Sequence, residues 1–296
     1  MPKKCDVCKI EIPEDSGNLL CMVHYQELEE ANKKRAELQK ERELSDEKFG
    51  IADPAYKENP EMEDKDQWKT NFVQFEKTGH VLWPLTRHMY EYIRDSFVER
   101  VKSHPQFPKF IWKPKVVDVG CGLGVGSNIL SHESDFVWGI DKNKKSVDFA
   151  TQAFARNKNN IYYTPQISFD CMDIITDERE LMKFDVVVAI EIIEHVWDTK
   201  KFIEFLRRVS KRDKKGALVQ GEQATITYIS SPNRQSPTIR KDKPKNLWHV
   251  REWETKELIA YLGQWYETIE PLDVKGNPAL PETDQSPILY RCLNPK

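Results

Sequence analysis

No apolar run in the 296-residue chain approaches the roughly 20 residues that span a bilayer, and no signal-type apolar stretch follows Met1-Pro-Lys-Lys. Membrane insertion and secretion are therefore not expected. An excess of one charge is also missing. The 45 basic and 48 acidic residues leave a net charge of -3, so a protein whose whole surface grips nucleic acid is excluded and any such contact needs a local patch. Cysteine is sparse, with six residues. In a chain without an export signal these read as thiols or metal ligands rather than disulfides, which predicts a cytoplasmic compartment. There is no internal repeat and no low-complexity tract beyond one charged segment. What is present, 39% hydrophobic and 31% charged residues, fits a globular protein with a well-buried core and some polar, poorly packed segments.

Composition divides the chain in three. Residues 1–24 carry Cys5-x-x-Cys8 and Cys21-x-x-His24, three sulfurs and one nitrogen at spacings that close a tetrahedral zinc site. Few apolar residues surround them, so the metal would supply most of the folding energy of this module. Four protein ligands leave no open position, which makes the zinc structural, and the competing reading is a redox pair at Cys5 and Cys8. Residues 25–66 follow as a charged helix and linker. Glu29 with Lys33 and Glu30 with Lys34 are opposite charges at i,i+4, and Pro54 and Pro60 mark the linker. From residue 67 the sequence turns aromatic and apolar, beginning at Trp68, and a folded domain is expected over 67–296. Cys121, Cys171 and Cys292 fall in it and read as core thiols.

Beyond Lys115, short β-rich runs alternate with helical patterns, the sign of a parallel sheet covered by helices. Strands are predicted at Lys115–Val119, Phe136–Ile140, Ile167–Cys171, Phe184–Ile190, Ala224–Ser230, about Glu267–Val274 and Ile288–Cys292. The expected fold class is α/β, a Rossmann-like doubly wound sheet of seven strands with the zinc-binding module appended. After the first strand comes Asp118-Val119-Gly120-Cys121-Gly122-Leu123-Gly124-Val125-Gly126. A glycine-rich turn at the carboxyl edge of a sheet lets a ligand approach the backbone closely. A dinucleotide fingerprint needs a third glycine where Val125 or Ser127 stands, so a pyrophosphate ligand is disfavoured. Asp141 closes the second strand, where a carboxylate can accept both ribose hydroxyls, and Asp173 ends the third, placed to meet an adenine amino group. This set resembles the class I S-adenosylmethionine-dependent methyltransferases. The resemblance implies S-adenosyl-L-methionine as cofactor, with Gly120, Gly122 and Gly124 around its methionine moiety, Asp141 at the ribose and Asp173 at the adenine. Asp118 and Ile190, at the ends of the first and fourth strands, complete the expected cofactor-binding set.

The fourth strand runs into Glu191-Ile192-Ile193-Glu194-His195-Val196, and Ser231-Pro232-Asn233-Arg234 and His249-Val250-Arg251-Glu252-Trp253 follow. If the chain turns helical after Glu191, two carboxylates and an imidazole converge at the sheet edge, a donor set able to hold one divalent cation. Here the sequence is similar to two branches of the fold, the ubiquinone-pathway O-methyltransferases and the enzymes that 2′-O-methylate the 3′ ends of small RNAs. That likeness implies Glu191, Glu194, His195 and His249 as catalytic metal ligands for Mg2+ or another divalent cation; the alternative is that the acids cap a helix and bond loops. Trp83-Pro84-Leu85-Thr86-Arg87-His88 resembles the segment in which the ubiquinone-type enzymes carry an arginine for the cofactor's carboxylate, making Arg87 the candidate, although Thr86 is an insertion.

Two basic runs remain. Arg207-Arg208 through Lys214-Lys215 reads as a solvated helix end, and Arg240-Lys241 with Lys243 and Lys245 lies on a loop leading to His249, where it can meet phosphates. The expected reaction is O-methylation of an acceptor with vicinal hydroxyls, an RNA or nucleotide-like diol or a small aromatic diol. His195 or His249 is the general base if no metal binds. The competing functions are metal-independent N- or C-methylation of a small molecule, and a non-catalytic adaptor whose zinc module engages protein or nucleic acid.

Overall fold

The computed structural model describes residues 84–103, 112–155, 166–239, 243–244, 246 and 248–296. The expected zinc ligands Cys5, Cys8, Cys21 and His24, the charged helix and linker at 25–66, and most of the loop at 240–245 lie outside the described residues. No helix among the described residues is long and apolar enough to cross a membrane.

Seven strands form one sheet in the order β3-β2-β1-β4-β5-β7-β6. They are β1 (Lys115–Val119), β2 (Phe136–Asp141), β3 (Gln166–Cys171), β4 (Val186–Ala189), β5 (Ile226–Ser231), β6 (Tyr266–Leu272) and β7 (Ile288–Pro295). The first five are parallel, and β7 inserts antiparallel between β5 and β6. Because both faces are covered, the inner strands are buried on both sides and mainly apolar instead of alternating, with buried polar residues at Asp118 of β1 and Thr227, Ser230 and Ser231 of β5. Val117, Val119, Trp138, Ile140, Val187, Ala189 and Ile229 enter one core with α4 (Thr199–Arg208) and α5 (Thr255–Leu262). Val116, Val137, Val186, Val188 and Tyr228 enter the other with α1 (Pro84–Lys102) and α2 (Val125–Ser131). Residues of opposite parity on each strand thus serve opposite layers.

Helix starts are locally specified. Asn143 caps α3 (Lys144–Ala150) by accepting from the Lys145 and Ser146 amides, Asp198 caps α4, and Glu254 with Glu257 forms a reciprocal capping box on α5. The strand boundaries shift where backbone pairing ends. Phe184 is held in a single bridge to Ser210 instead of within β4, and a 3-10 turn at Gly221–Gln223 delays β5 to Ile226.

Candidate active site

The glycine turn leaves β1 at the carboxyl edge of the sheet, beside the end of β2. The amides of Gly120 and Cys121 donate to the Ile140 carbonyl, so the turn is bonded to the neighbouring strand. Gly120 has φ 71°, and a Cβ there would lie 2.1 Å from Ile192 Cδ1. Gly122, at φ 52°, faces open space among the described residues: a Cβ at this position would meet none of their atoms within 4 Å. Close packing beneath the turn and room above it are what a backbone cradle for a ligand requires. Asp141 stands at the rim. Its Oδ2 accepts from the Gly122 amide at 2.9 Å and its Oδ1 from the Asn143 amide at 2.8 Å. Asp173 is exposed at the end of the adjacent strand, accepting from the Ile175 amide at 3.0 Å beside the buried Met172.

Asp118 lies below the turn and is fully buried. Its carboxylate accepts from Ser127 Oγ on α2 at 2.6 Å and from the Tyr90 hydroxyl on α1 at 3.0 Å. Burial pushes its pKa up to about 7 in spite of both donors. With both oxygens engaged by protein donors, Asp118 ties β1, α1 and α2 together under the turn.

A second constellation occupies the carboxyl end of β4. Glu191 adopts a left-handed backbone, φ 55°, and the following 3-10 turn spans Ile193–His195. The expectation that Glu191 and Glu194 share one helical turn is corrected here. The left-handed residue breaks the turn, and Glu191 closes a ring with Ser230, its amide donating to Ser230 Oγ at 2.8 Å while that hydroxyl donates back to Glu191 Oε1 at 2.7 Å. Glu194, His195 and His249 do converge, each offering a ligand atom within 4.8 Å of the others. Glu194 is completely buried, and among the described residues neither carboxylate oxygen has a hydrogen-bond partner. Burial and the neighbouring Glu191 raise its pKa well above the usual carboxylate range.

The two imidazoles are oriented by their outer nitrogens. His195 Nδ1 is 2.7 Å from the Trp248 carbonyl, which can only accept, so Nδ1 carries the proton and Nε2 keeps a lone pair, 4.0 Å from Glu194 Oε1. His249 Nδ1 is 2.7 Å from Glu252 Oε1, and the Asn246 amide donates to its Nε2 at 2.9 Å. The rings meet edge to face, centroids 4.8 Å apart. Burial, then the other imidazole, lowers the His195 pKa to about 3; burial lowers that of His249 to about 4. Two neutral imidazoles with unprotonated Nε2 atoms and a buried carboxylate with no donor among the described residues form a donor set that suits a divalent cation, whose charge would offset the burial of Glu194.

Residues 113–264, just over half of the chain, match the methyltransferase domain family. The chain belongs to that family. A probable S-adenosylmethionine-dependent methyltransferase of Mycolicibacterium smegmatis is 27% identical over 57% of this chain and 58% of its own length. A ubiquinone biosynthesis O-methyltransferase of Coxiella burnetii is 32% identical over 30% of this chain and 36% of its own. The chain thus spans little more than half, or about a third, of those relatives. A Clostridium acetobutylicum S-adenosylmethionine-dependent methyltransferase structure superposes with a TM-score of 0.52 at 12% identity, covering 77% of this chain and 99% of that one. The fold is the class I methyltransferase fold.

Within this methyltransferase fold the remaining expected residues fall as follows. Arg87 sits on the exposed start of α1, its Nε donating to Glu91 Oε1 at 2.8 Å. Ile190 is buried in the core that α1 covers, at the end of β4. Three residues that contact the site are not evident from the sequence. Tyr90 and Ser127 are suggested only by the buried polar demand of Asp118, whereas Glu252 stands three positions after His249, a spacing at which a carboxylate can reach a ligand imidazole.

Proposed function

We propose that this chain transfers a methyl group from S-adenosyl-L-methionine to a hydroxyl oxygen of an acceptor bearing vicinal hydroxyls, assisted by a divalent cation. Family membership and the open space over Gly122 beside Asp141 support the cofactor. In this reading the Gly120–Gly124 backbone takes the methionine moiety, Asp141 accepts the ribose hydroxyls and Asp173 meets the adenine. Buried Asp118 holds the turn in place. The observation that carries the cation is the fully buried Glu194 carboxylate, with no donor on either oxygen among the described residues, grouped with His195 and His249.

Glu194, His195 and His249 would hold the cation, with Glu191 beside them on Ser230. When bound, it would lower the acceptor hydroxyl's pKa and orient the oxygen for in-line attack on the sulfonium methyl. The chain's own contribution is positional. The Trp248 carbonyl and the Glu252 carboxylate fix the ring orientations. A general-base role for either imidazole fits less well, because pKa values of about 3 and 4 lie far below the neutral range in which a base works best.

A pair of neighbouring hydroxyls matches the open positions such a cation keeps, in the cis-diol of a terminal ribose or in a catechol-like ring. The loop that carries Lys243 ahead of His249 favours the ribose. A zinc-binding module at 1–24, joined through 25–66 to the methyltransferase domain, completes the proposed organisation. The test is methyl transfer to diols and their monodeoxy analogues, with and without chelator. Transfer should require both hydroxyls and stop on chelation. Equal rates on both acceptors, untouched by chelation or by His249→Ala, would overturn the proposal.

A further inference from the structure

We propose that Glu252 is a positioning residue for the cation site, fixing the tautomer and ring angle of His249 so that Nε2 is the nitrogen presented to the metal. The inference rests on the cation reading above. Glu252 is 1% exposed and its Oε1 lies 2.7 Å from His249 Nδ1. A carboxylate acceptor at that distance demands an N–H from the imidazole, which leaves the lone pair on Nε2. The Asn246 amide supports the assignment from the other side: its N–H donates to Nε2 at 2.9 Å, which only an unprotonated nitrogen can accept, and a bound cation would take that lone pair in place of Asn246.

The chain around Glu252 is built to hold the carboxylate still. Its neighbour Trp253 is 1% exposed, stacks on Tyr261 of α5 with centroids 5.3 Å apart, and gives its carbonyl to the Arg234 amide at 2.8 Å. Arg234, only 4% exposed, reaches Glu257 Oε1 at 2.7 Å on the first turn of α5. The segment after β5 and the segment before α5 are thus bridged directly behind His249, and Glu252 projects from that bridge. Elsewhere in metal sites an outer carboxylate on a ligand histidine is worth about 10- to 100-fold in metal affinity. His195 receives the equivalent support from the Trp248 carbonyl, so one short segment, 248–252, orients both imidazoles.

The test is calorimetric titration of Mn2+ into the full chain, with Glu194→Gln as the blank that removes the site. Glu252→Met keeps the volume but removes the acceptor, Glu252→Ala truncates the side chain, and Glu252→Gln retains an acceptor for Nδ1–H. Melting temperature and circular dichroism show which variants fold. We expect Glu252→Met and Glu252→Ala to bind Mn2+ about 10- to 100-fold more weakly than wild type, and Glu252→Gln to stay within about threefold of wild type, well above both. Folded Met or Ala variants within threefold of wild type would overturn the proposal, as would a Gln variant as weak as they are. Failure of the wild type itself to bind Mn2+ above the Glu194→Gln blank would instead overturn the cation reading on which the proposal rests.

Discussion

Asp118→Asn should flatten the pH dependence of stability in the neutral range. In the fold this carboxyl group is buried among apolar residues with two hydroxyl donors, and its pKa rises from 3.8 to about 7. In the unfolded chain it ionises near 4, so between about pH 4 and 7 the native state binds the extra proton. Stability therefore falls as pH rises through that window and levels off above it. From pH 4.5 to pH 8, a shift of this size removes about 3 kcal/mol. The asparagine amide keeps the shape and cannot ionise, and the Ser127 and Tyr90 hydroxyls can rotate to accept from it. Urea unfolding of wild type and variant at half-unit pH intervals reads the difference directly. The variant should gain about 3 kcal/mol relative to wild type between pH 4.5 and 8. A stability difference constant across that range would refute the argument that Asp118 is held near its own titration point.

Other outcomes follow from the same geometry. Gly122→Ala should cost only about 1–2 kcal/mol, the strain of a left-handed alanine, while S-adenosylhomocysteine affinity falls more than about tenfold because the methyl enters the open cradle; Gly120→Ala should lower the melting temperature further, since Ile192 must also move. Arg87→Ala, which removes an exposed pair with Glu91, should change stability by less than about 0.5 kcal/mol. It should also leave S-adenosylhomocysteine affinity within about twofold, the ordinary outcome for a surface substitution; a large loss of affinity would return Arg87 to the cofactor site.

The sheet is legible in the sequence because its information is local. β1 has the limits its pattern predicts, and mainly apolar strands separated by helical patterns are the direct result of a sheet buried on both faces. Asp141 and Asp173 are legible for the same reason, as acids at the end of β2 and two residues past the end of β3, strands whose positions the pattern defines. Glu191 shows where this stops. The E-x-x-E-H spacing suggests a single helical turn, but the backbone at Glu191 is left-handed, and its partner Ser230 arrives from β5. Nothing in the spacing encodes that ring, because it depends on the β4–β5 pairing. Tyr90 is likewise hidden. An aromatic residue on the apolar face of a charged helix reads as packing, and only the position of α1 over β1 brings its hydroxyl to Asp118.

The central claim is that the Gly120–Gly124 turn and Asp141 form the cofactor site. Calorimetric titration of S-adenosylhomocysteine into the folded full chain, wild type beside Asp141→Ala, tests it most directly. The ribose hydroxyls would donate to a carboxylate, and charge-assisted bonds of this kind are each worth roughly 1.5–3 kcal/mol. Wild type should bind one equivalent, and the variant should bind it at least about tenfold more weakly. A folded wild type that takes up no S-adenosylhomocysteine, or an Asp141→Ala variant that binds it equally well, would contradict the account.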